Sequence, residues 1–240
     1  MVYTLTADEL INEEKSATPI YAIFQIMDWC PIEEKKALYI MRHAKSQNKN
    51  DFKLGNKLMK QETKFINNSY ARLKYIGDMA IKMAKNTLIL FGDVKGGYGR
   101  KLHEYIKDNS DKDVYYVDGE TPNDIRDYYK QKCEQDTDGK TVLVASIGTF
   151  GEGIDLSNIW SIFLVNSAKS ERLVRQICGR GLRQYPGKDK TLLFDFVDDL
   201  RYTMDGRYED NYMWKHYKER KKIYKEQRFP TYEQTISFDK

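Results

Sequence analysis

The chain has 240 residues, 40% of them hydrophobic and 32% charged, with a net charge of +4, which is enough to build one large domain or two small ones around a proper core. That mild basic bias is too small to name a partner, and aromatic residues at 13% exclude a disordered composition. Cys30, Cys133 and Cys178 are scattered without a CxxC pair, no apolar run approaches membrane-spanning length, and the N-terminus lacks a signal-peptide pattern. These features point to a cytoplasmic protein without disulfides or structural zinc, and the isolated His43, His103 and His216 offer no metal-ligand spacing.

Residues 1–86 form an entry segment. "TPIYAIFQI" (18–26) reads as a strand, and a polar stretch from Ile32 to Lys85 follows with thirteen Lys/Arg against five Asp/Glu. Leu73, Ile76, Met79, Ala80 and Met83 recur at helical intervals, so this stretch is read as helix with a solvated lysine face in preference to a nucleic-acid stripe.

Residues 87–200 change character. "TLILFG" (87–92), "DVYYVD" (113–118), "TVLVAS" (141–146), "SIFLVN" (161–166) and "TLLFDFV" (191–197) are continuous apolar runs, as expected of strands buried on both faces. Segments of helical length lie between them, among them Lys101–Lys107 and Asn123–Cys133. Strand and helix in alternation predict a parallel sheet with crossover helices, and ligands then gather at the carboxyl ends of the strands, after Gly92, Asp118, Ser146 and Asn166. Residues 201–240 are polar, aromatic and basic, with a helix expected over Asp210–Gln227 and an edge strand around Thr235–Phe238.

Two motifs imitate a nucleotide site. Gly139-Lys140-Thr141 has the second half of a P-loop, but Glu134 stands where its first glycine belongs, and the triplet precedes a strand where a P-loop follows one. It is read as a turn. "LLFDFVDDL" (192–200) imitates a magnesium-holding strand end, yet with no P-loop beside it Asp198 and Asp199 are expected to cap or turn the chain; a metal nuclease built on Asp195, Asp198 and Asp199 is the rival.

"ASIGTFGEGIDL" (145–156) leaves a buried strand through Ser146, Gly148, Thr149, Gly151 and Gly153 to Asp155. Hydroxyls and glycine-exposed amides there suit phosphate oxygens, and an ordinary glycine-rich loop is the alternative. "RQICGRGLRQ" (175–184) sets Arg180 and Arg183 one helical turn apart, either as a phosphate clamp or as a solvated basic face.

The order of these pieces resembles motifs V and VI of superfamily 2 helicases: a hydroxyl-bearing loop ending in Gly-x-Asp, a strand, then a helix with Q-x-x-G-R-x-x-R, here Gln176 to Arg183. "TADELINEE", "VYYVDGETPNDIR", "ASIGTFGEGIDLSNI", "QICGRGLRQYPGK", "LFDFVDDL" and the tail from Asn211 to Phe238 resemble UvsW-type phage helicases in that order. The resemblance implies an α/β fold, a RecA-like parallel β-sheet flanked by helices that is P-loop NTPase-like without its own P-loop. It corresponds to the second RecA-like domain; the first, holding the P-loop, the DExx box and Mg, is expected to act with it in cis or in trans. Arg183 is then the arginine finger and Arg180 its companion on the γ-phosphate of ATP. Gly153, Asp155, Gln176 and Gly179 would contact the nucleotide, and Ser146, Gly148, Thr149, Lys169 and Ser170 would grip DNA, RNA or an R-loop. The implied activity is ATP-dependent unwinding or branch migration in phage recombination and repair, with the 240-residue chain inactive alone. The alternative is a non-catalytic nucleic-acid-binding module that keeps the fold.

Overall fold

A computed structural model describes residues 18–45, 52–92, 94–151, 156–165, 174 and 183–238. The described elements are β1 (Ile20–Asp28), α1 (Ile32–Lys45), α2 (Phe52–Asn67), α3 (Tyr70–Lys82), β2 (Thr87–Phe91), α4 (Tyr98–Asp108), β3 (Asp113–Val117) and α5 (Asn123–Gln135). They continue with β4 (Thr141–Ser146), α6 (Ile147–Gly151), β5 (Ser161–Leu164), β6 (Thr191–Asp198), β7 (Tyr202–Met204), β8 (Arg207–Glu209), α7 (Tyr212–Glu226) and β9 (Thr231–Ser237).

Seven strands form one sheet in the order β3-β4-β2-β5-β6-β1-β9. Every pairing in it is parallel, so all strand starts share one edge of the molecule and all strand ends the other. Residues from all three sequence segments contribute, because β1 and β9 extend the sheet begun by β2 to β6.

Alternation along each strand sends side chains into two cores. Leu88, Leu90, Leu143, Ala145, Ile162, Leu164, Leu193 and Val197 meet Trp214, Tyr217 and Tyr224 of α7 on one face. Ile89, Phe91, Val142, Val144, Phe163, Phe194 and Phe196 meet Leu73, Ile76 and Ala80 of α3 and Tyr98, Leu102 and Ile106 of α4 on the other. This is the helix–sheet–helix sandwich expected for a buried parallel sheet. Gly99 is required at the α4 contact, since a Cβ there would lie 2.6 Å from the Phe91 ring.

Each face of β6 also carries one buried ion pair. Asp195 faces α7, where it accepts two hydrogen bonds from Arg220, both 2.7 Å, and a third from the Tyr224 hydroxyl at 3.0 Å. Asp198 faces α3, where it accepts from Arg72 Nε at 2.7 Å and from the Trp29 indole at 2.8 Å. Asp198 was expected to cap or turn the chain; instead it ends the strand itself and serves as a core counter-ion, because an arginine 126 positions away folds over it. Only Asp199 belongs to the turn, bound by the Arg201 guanidinium at 2.6 and 2.7 Å. Asp195 and Asp198 are thus committed to arginines, which removes the physical basis of the nuclease alternative.

Gly139 confirms a turn. Its φ is +76°, a Cβ would sit 2.4 Å from the Ala84 carbonyl, and the Asp136 carboxylate accepts the backbone N–H groups of Asp138, Gly139 and Thr141.

A third, smaller core sits at the carboxyl end of the sheet, where Cys30, Ile66, Leu200 and Met213 pack together. Glu62 of α2 is its polar centre. Its carboxylate accepts from Asn211 Nδ2 at 3.0 Å, from the Met213 N–H at 3.0 Å and from Arg42 at 3.2 Å, so it caps the start of α7. Burial pushes its carboxyl above the ordinary value despite those partners. The β7–β8 hairpin, unforeseen in the sequence, turns on Asp205 and Gly206, both left-handed with φ of 52° and 70°.

Candidate functional site

The carboxyl edge of the sheet carries three of the loops singled out in the sequence. After β4 the chain makes a short helical turn, α6, in place of an open glycine-rich loop. Ser146 opens it: its Oγ accepts the Thr149 N–H at 3.3 Å and lies 2.8 Å from the Thr149 hydroxyl. Both residues are buried, at 3% and 4% exposure, whereas Gly148 between them is exposed, with nothing from outside its own turn within 4 Å of where a Cβ would stand. In this arrangement Ser146 and Thr149 hold the turn, and Gly148 is its exposed part.

Next to α6, the segment after β2 runs through exposed Gly92, Lys95 and Gly96 to Gly97, which starts α4 with a φ of 69°. After β3, Asp118 ties down the third loop. Its Oδ1 accepts from the Glu120 N–H at 3.0 Å and from the Thr121 hydroxyl at 3.3 Å, and Arg100 reaches its Oδ2 at 3.3 Å. Burial works to raise this carboxyl, but the Glu120 N–H and the Arg100 guanidinium outweigh it and hold the group below its ordinary value.

Arg183 lies at the opposite edge. Its carbonyl accepts from the hydroxyl of Thr18, two residues before β1 begins, at 3.1 Å. The same carbonyl accepts from Lys188 Nζ at 3.0 Å, and that ammonium also donates to the Ser157 carbonyl at 3.3 Å. Arg183 is exposed beside a cavity of about 420 Å³ lined by Thr18, Pro19, Gln184, Tyr185, Pro186 and Lys188. The fold therefore separates two surfaces, one of hydroxyls, glycines and lysines at the strand ends, the other around Arg183 at the strand starts. The carboxyl-end rule for parallel sheets leads to the first and passes over the second.

Gly153, Asp155, Lys169, Ser170, Gln176, Gly179 and Arg180 lie outside the described residues. What flanks them is firmly held. Glu134 of α5 accepts from the Ser157 N–H and, at 2.8 Å, from its hydroxyl, while Asn158 Nδ2 donates to the Asp136 carbonyl at 2.7 Å. These contacts fix the exit of the Gly153–Asp155 segment. Arg72 bonds the Val165 carbonyl as well as Asp198, fixing the chain just before Lys169 and Ser170.

Sequence reading missed Lys188, Thr18 and Glu134. Nothing in their spacing marks them, because each acts on a backbone group far away in the chain. A half-buried lysine is the sort of signal only a fold reveals: burial draws the Lys188 ammonium down to about 8, with the Glu134 carboxylate opposing the shift.

An all-parallel sheet between two helical layers is the RecA-like fold found in helicase C-terminal domains. The C-terminal domain of the DEAD-box protein Dbp5 shares the fold at a TM-score of 0.51 and 11% identity, covering 70% of this chain and 86% of that one. The crystal structure of T4 UvsW matches at a TM-score of 0.67 and 24% identity, covering 98% of this chain and 42% of that one. In sequence the chain is 31% identical over 195 residues to the ATP-dependent DNA helicase uvsW of Enterobacteria phage T4. It is 35% identical over 147 residues to the putative ATP-dependent helicase IRC3 of Saccharomyces cerevisiae. No protein-family model matches. The chain is thus similar in sequence to UvsW and shares the fold of RecA-like helicase C-terminal domains. The matched regions are 77% and 61% of this chain but only 38% and 20% of the two relatives' own lengths.

Proposed function

We propose that the chain is the second motor domain of an ATP-dependent helicase or translocase that works on DNA, or on RNA paired with it, during unwinding or branch migration in recombination and repair. The proposal sets it in the cytoplasm; among the described residues no helix is long and apolar enough to cross a membrane. A first RecA-like domain, in cis or in trans, would supply the P-loop and the carboxylate that holds Mg. Within this chain no GxxxxGK[ST] occurs, and Asp195 and Asp198 are taken up by Arg220 and Arg72.

The observation that carries the reading is the placement of Arg183 within a fold of this kind. Its backbone is held from two sides, by Thr18 and by Lys188, while the residue itself is exposed at the edge away from the glycine-rich turn. ATP supplies the transferable phosphoryl group. The role assigned to Arg183, with Arg180 as companion, is to meet the charge that spreads over that group's oxygens as it leaves. A guanidinium is suited to it by its permanent charge and planar fork. Gly153, Asp155, Gln176 and Gly179 are assigned to the nucleotide, and Lys169 and Ser170 to the nucleic acid.

At the other edge, exposed Gly148 and the Gly92–Gly96 segment would face the phosphodiester backbone, with Ser146 and Thr149 shaping the turn that presents Gly148. Such a grip reads no sequence and depends on salt. Fluorescence anisotropy of labelled oligonucleotides with the 240-residue chain tests this: binding should be weak, indifferent to sequence and lost as salt rises. Comparable affinity in 50 mM and 500 mM salt, or a strong preference for one sequence, would contradict it.

A further inference from the structure

The amphipathic helix α2 offers a surface that the motif-based reading leaves unused. Leu58, Glu62 and Ile66 lie along its inner face, buried at 5%, 1% and 2% exposure, so the helix cannot rotate about its axis without breaking the Glu62 network. Lys57, Lys60 and Lys64 consequently stand together on the outer face, all exposed. They line a shallow hollow with Asn56 and Gln61. Around the helix, Lys60 and Lys64 enter a second and deeper groove of about 630 Å³, whose far wall is Gly92, Lys95 and Gly96 after β2.

Three features separate this surface from an ordinary solvated lysine face. Among the described residues that line the two concavities, none is acidic. Among the described residues, none of the four lysines pairs with a carboxylate, whereas Lys74, Lys218 and Lys221 on other helices do. The groove also opens directly onto the segment after β2, so the lysines prolong the carboxyl-end surface. The seven helical rises between Lys57 and Lys64 span roughly 10 Å, the axial rise of about three nucleotides of one strand.

We propose that the α2 face of Lys57, Lys60 and Lys64, with Lys95 across the groove, is a second track for a nucleic-acid phosphodiester backbone. The track rests on the reading of this chain as a nucleic-acid-binding domain and lengthens its contact beyond the strand-end loops. Ammonium groups at this spacing neutralise successive phosphates without reading bases, and glycines on the opposite wall let the backbone come close.

The test is anisotropy with the 240-residue chain, a labelled single strand and a labelled duplex, over a range of salt. K57Q/K60Q/K64Q removes three positive charges from exposed positions and leaves the buried face of α2 alone. It should weaken binding at least tenfold at low salt and flatten the slope of log affinity against log salt by about 2 to 3. The matching control K107Q/K222Q/K225Q, exposed positions on α4 and α7, should change binding less than threefold, and K57R/K60R/K64R should retain it. An unchanged affinity and slope for K57Q/K60Q/K64Q, where the native chain does bind, would overturn the track alone. An equal loss in the control would overturn it too, by reducing the effect to net charge. A native chain that binds neither oligonucleotide would sink the nucleic-acid reading itself.

Discussion

Lys188 donates one hydrogen bond to the carbonyl of Arg183, at 3.0 Å, and another to the carbonyl of Ser157, at 3.3 Å. Ser157 follows the Gly153–Asp155 segment by two residues, and Arg183 ends the Gln176–Arg183 motif. One ammonium therefore clips the exits of both motifs together, and Glu134 holds Ser157 from the other side. This makes Lys188 a positioning residue in the proposed motor. Lys188→Met, in the chain joined to a P-loop-bearing first domain, should lower kcat by roughly ten- to a hundredfold through displacement of Arg183. Oligonucleotide affinity of the isolated chain should stay within twofold. A loss of affinity with kcat unchanged would show that Lys188 serves the nucleic-acid surface.

The same residue sets a pH dependence. Lys188 in the folded chain releases its proton at about 8, below the ordinary lysine value of 10.5. Between those limits the unfolded chain binds the extra proton, so this group makes stability rise with pH from about 8 to 10.5 and costs stability below 8. The clip behaves oppositely, because a neutral amine donates more weakly to the two carbonyls than an ammonium does. Turnover of the two-domain protein should therefore fall as pH rises through 8, and Lys188→Arg should remove that fall, since a guanidinium keeps its charge. A limb that persists unchanged in Lys188→Arg would assign the titration to another group.

Stability of the sheet should depend heavily on the Arg220–Asp195 pair, which is fully buried and doubly hydrogen-bonded. Asp195→Ala removes the carboxylate that pairs with the buried Arg220 guanidinium, a loss of about 3–5 kcal/mol. Urea unfolding monitored by circular dichroism measures it. A cost under about 1 kcal/mol would mean that Arg220 finds water or another partner.

The strands were the most legible part of the fold. Continuous apolar runs such as "TLILFG" cannot sit half-exposed, so β2, β4, β5 and β6 follow from hydrophobicity alone. β9 was harder, because it is an exposed edge strand of polar residues; it starts at Thr231, four residues before the apolar signal at Thr235. The role of Asp198 was hidden because its partner Arg72 is brought in by tertiary packing. The lysines of α2 are read from the sequence as solvated, and Lys57, Lys60 and Lys64 are indeed exposed; the groove that Lys60 and Lys64 enter is visible only in the fold. Arg183 was picked out by spacing and resemblance, while its position at the strand starts came only from the contact with Thr18.

The proposed motor role rests on Arg183. Its most direct test is kcat for ATP hydrolysis, measured alongside oligonucleotide affinity, for Arg183→Ala in the chain joined to a P-loop-bearing first domain. Turnover should fall on the order of a thousandfold or more with affinity nearly intact, and Arg183→Lys should recover little of it. Unchanged turnover together with lost affinity would make Arg183 part of a basic binding face and contradict the proposed motor role.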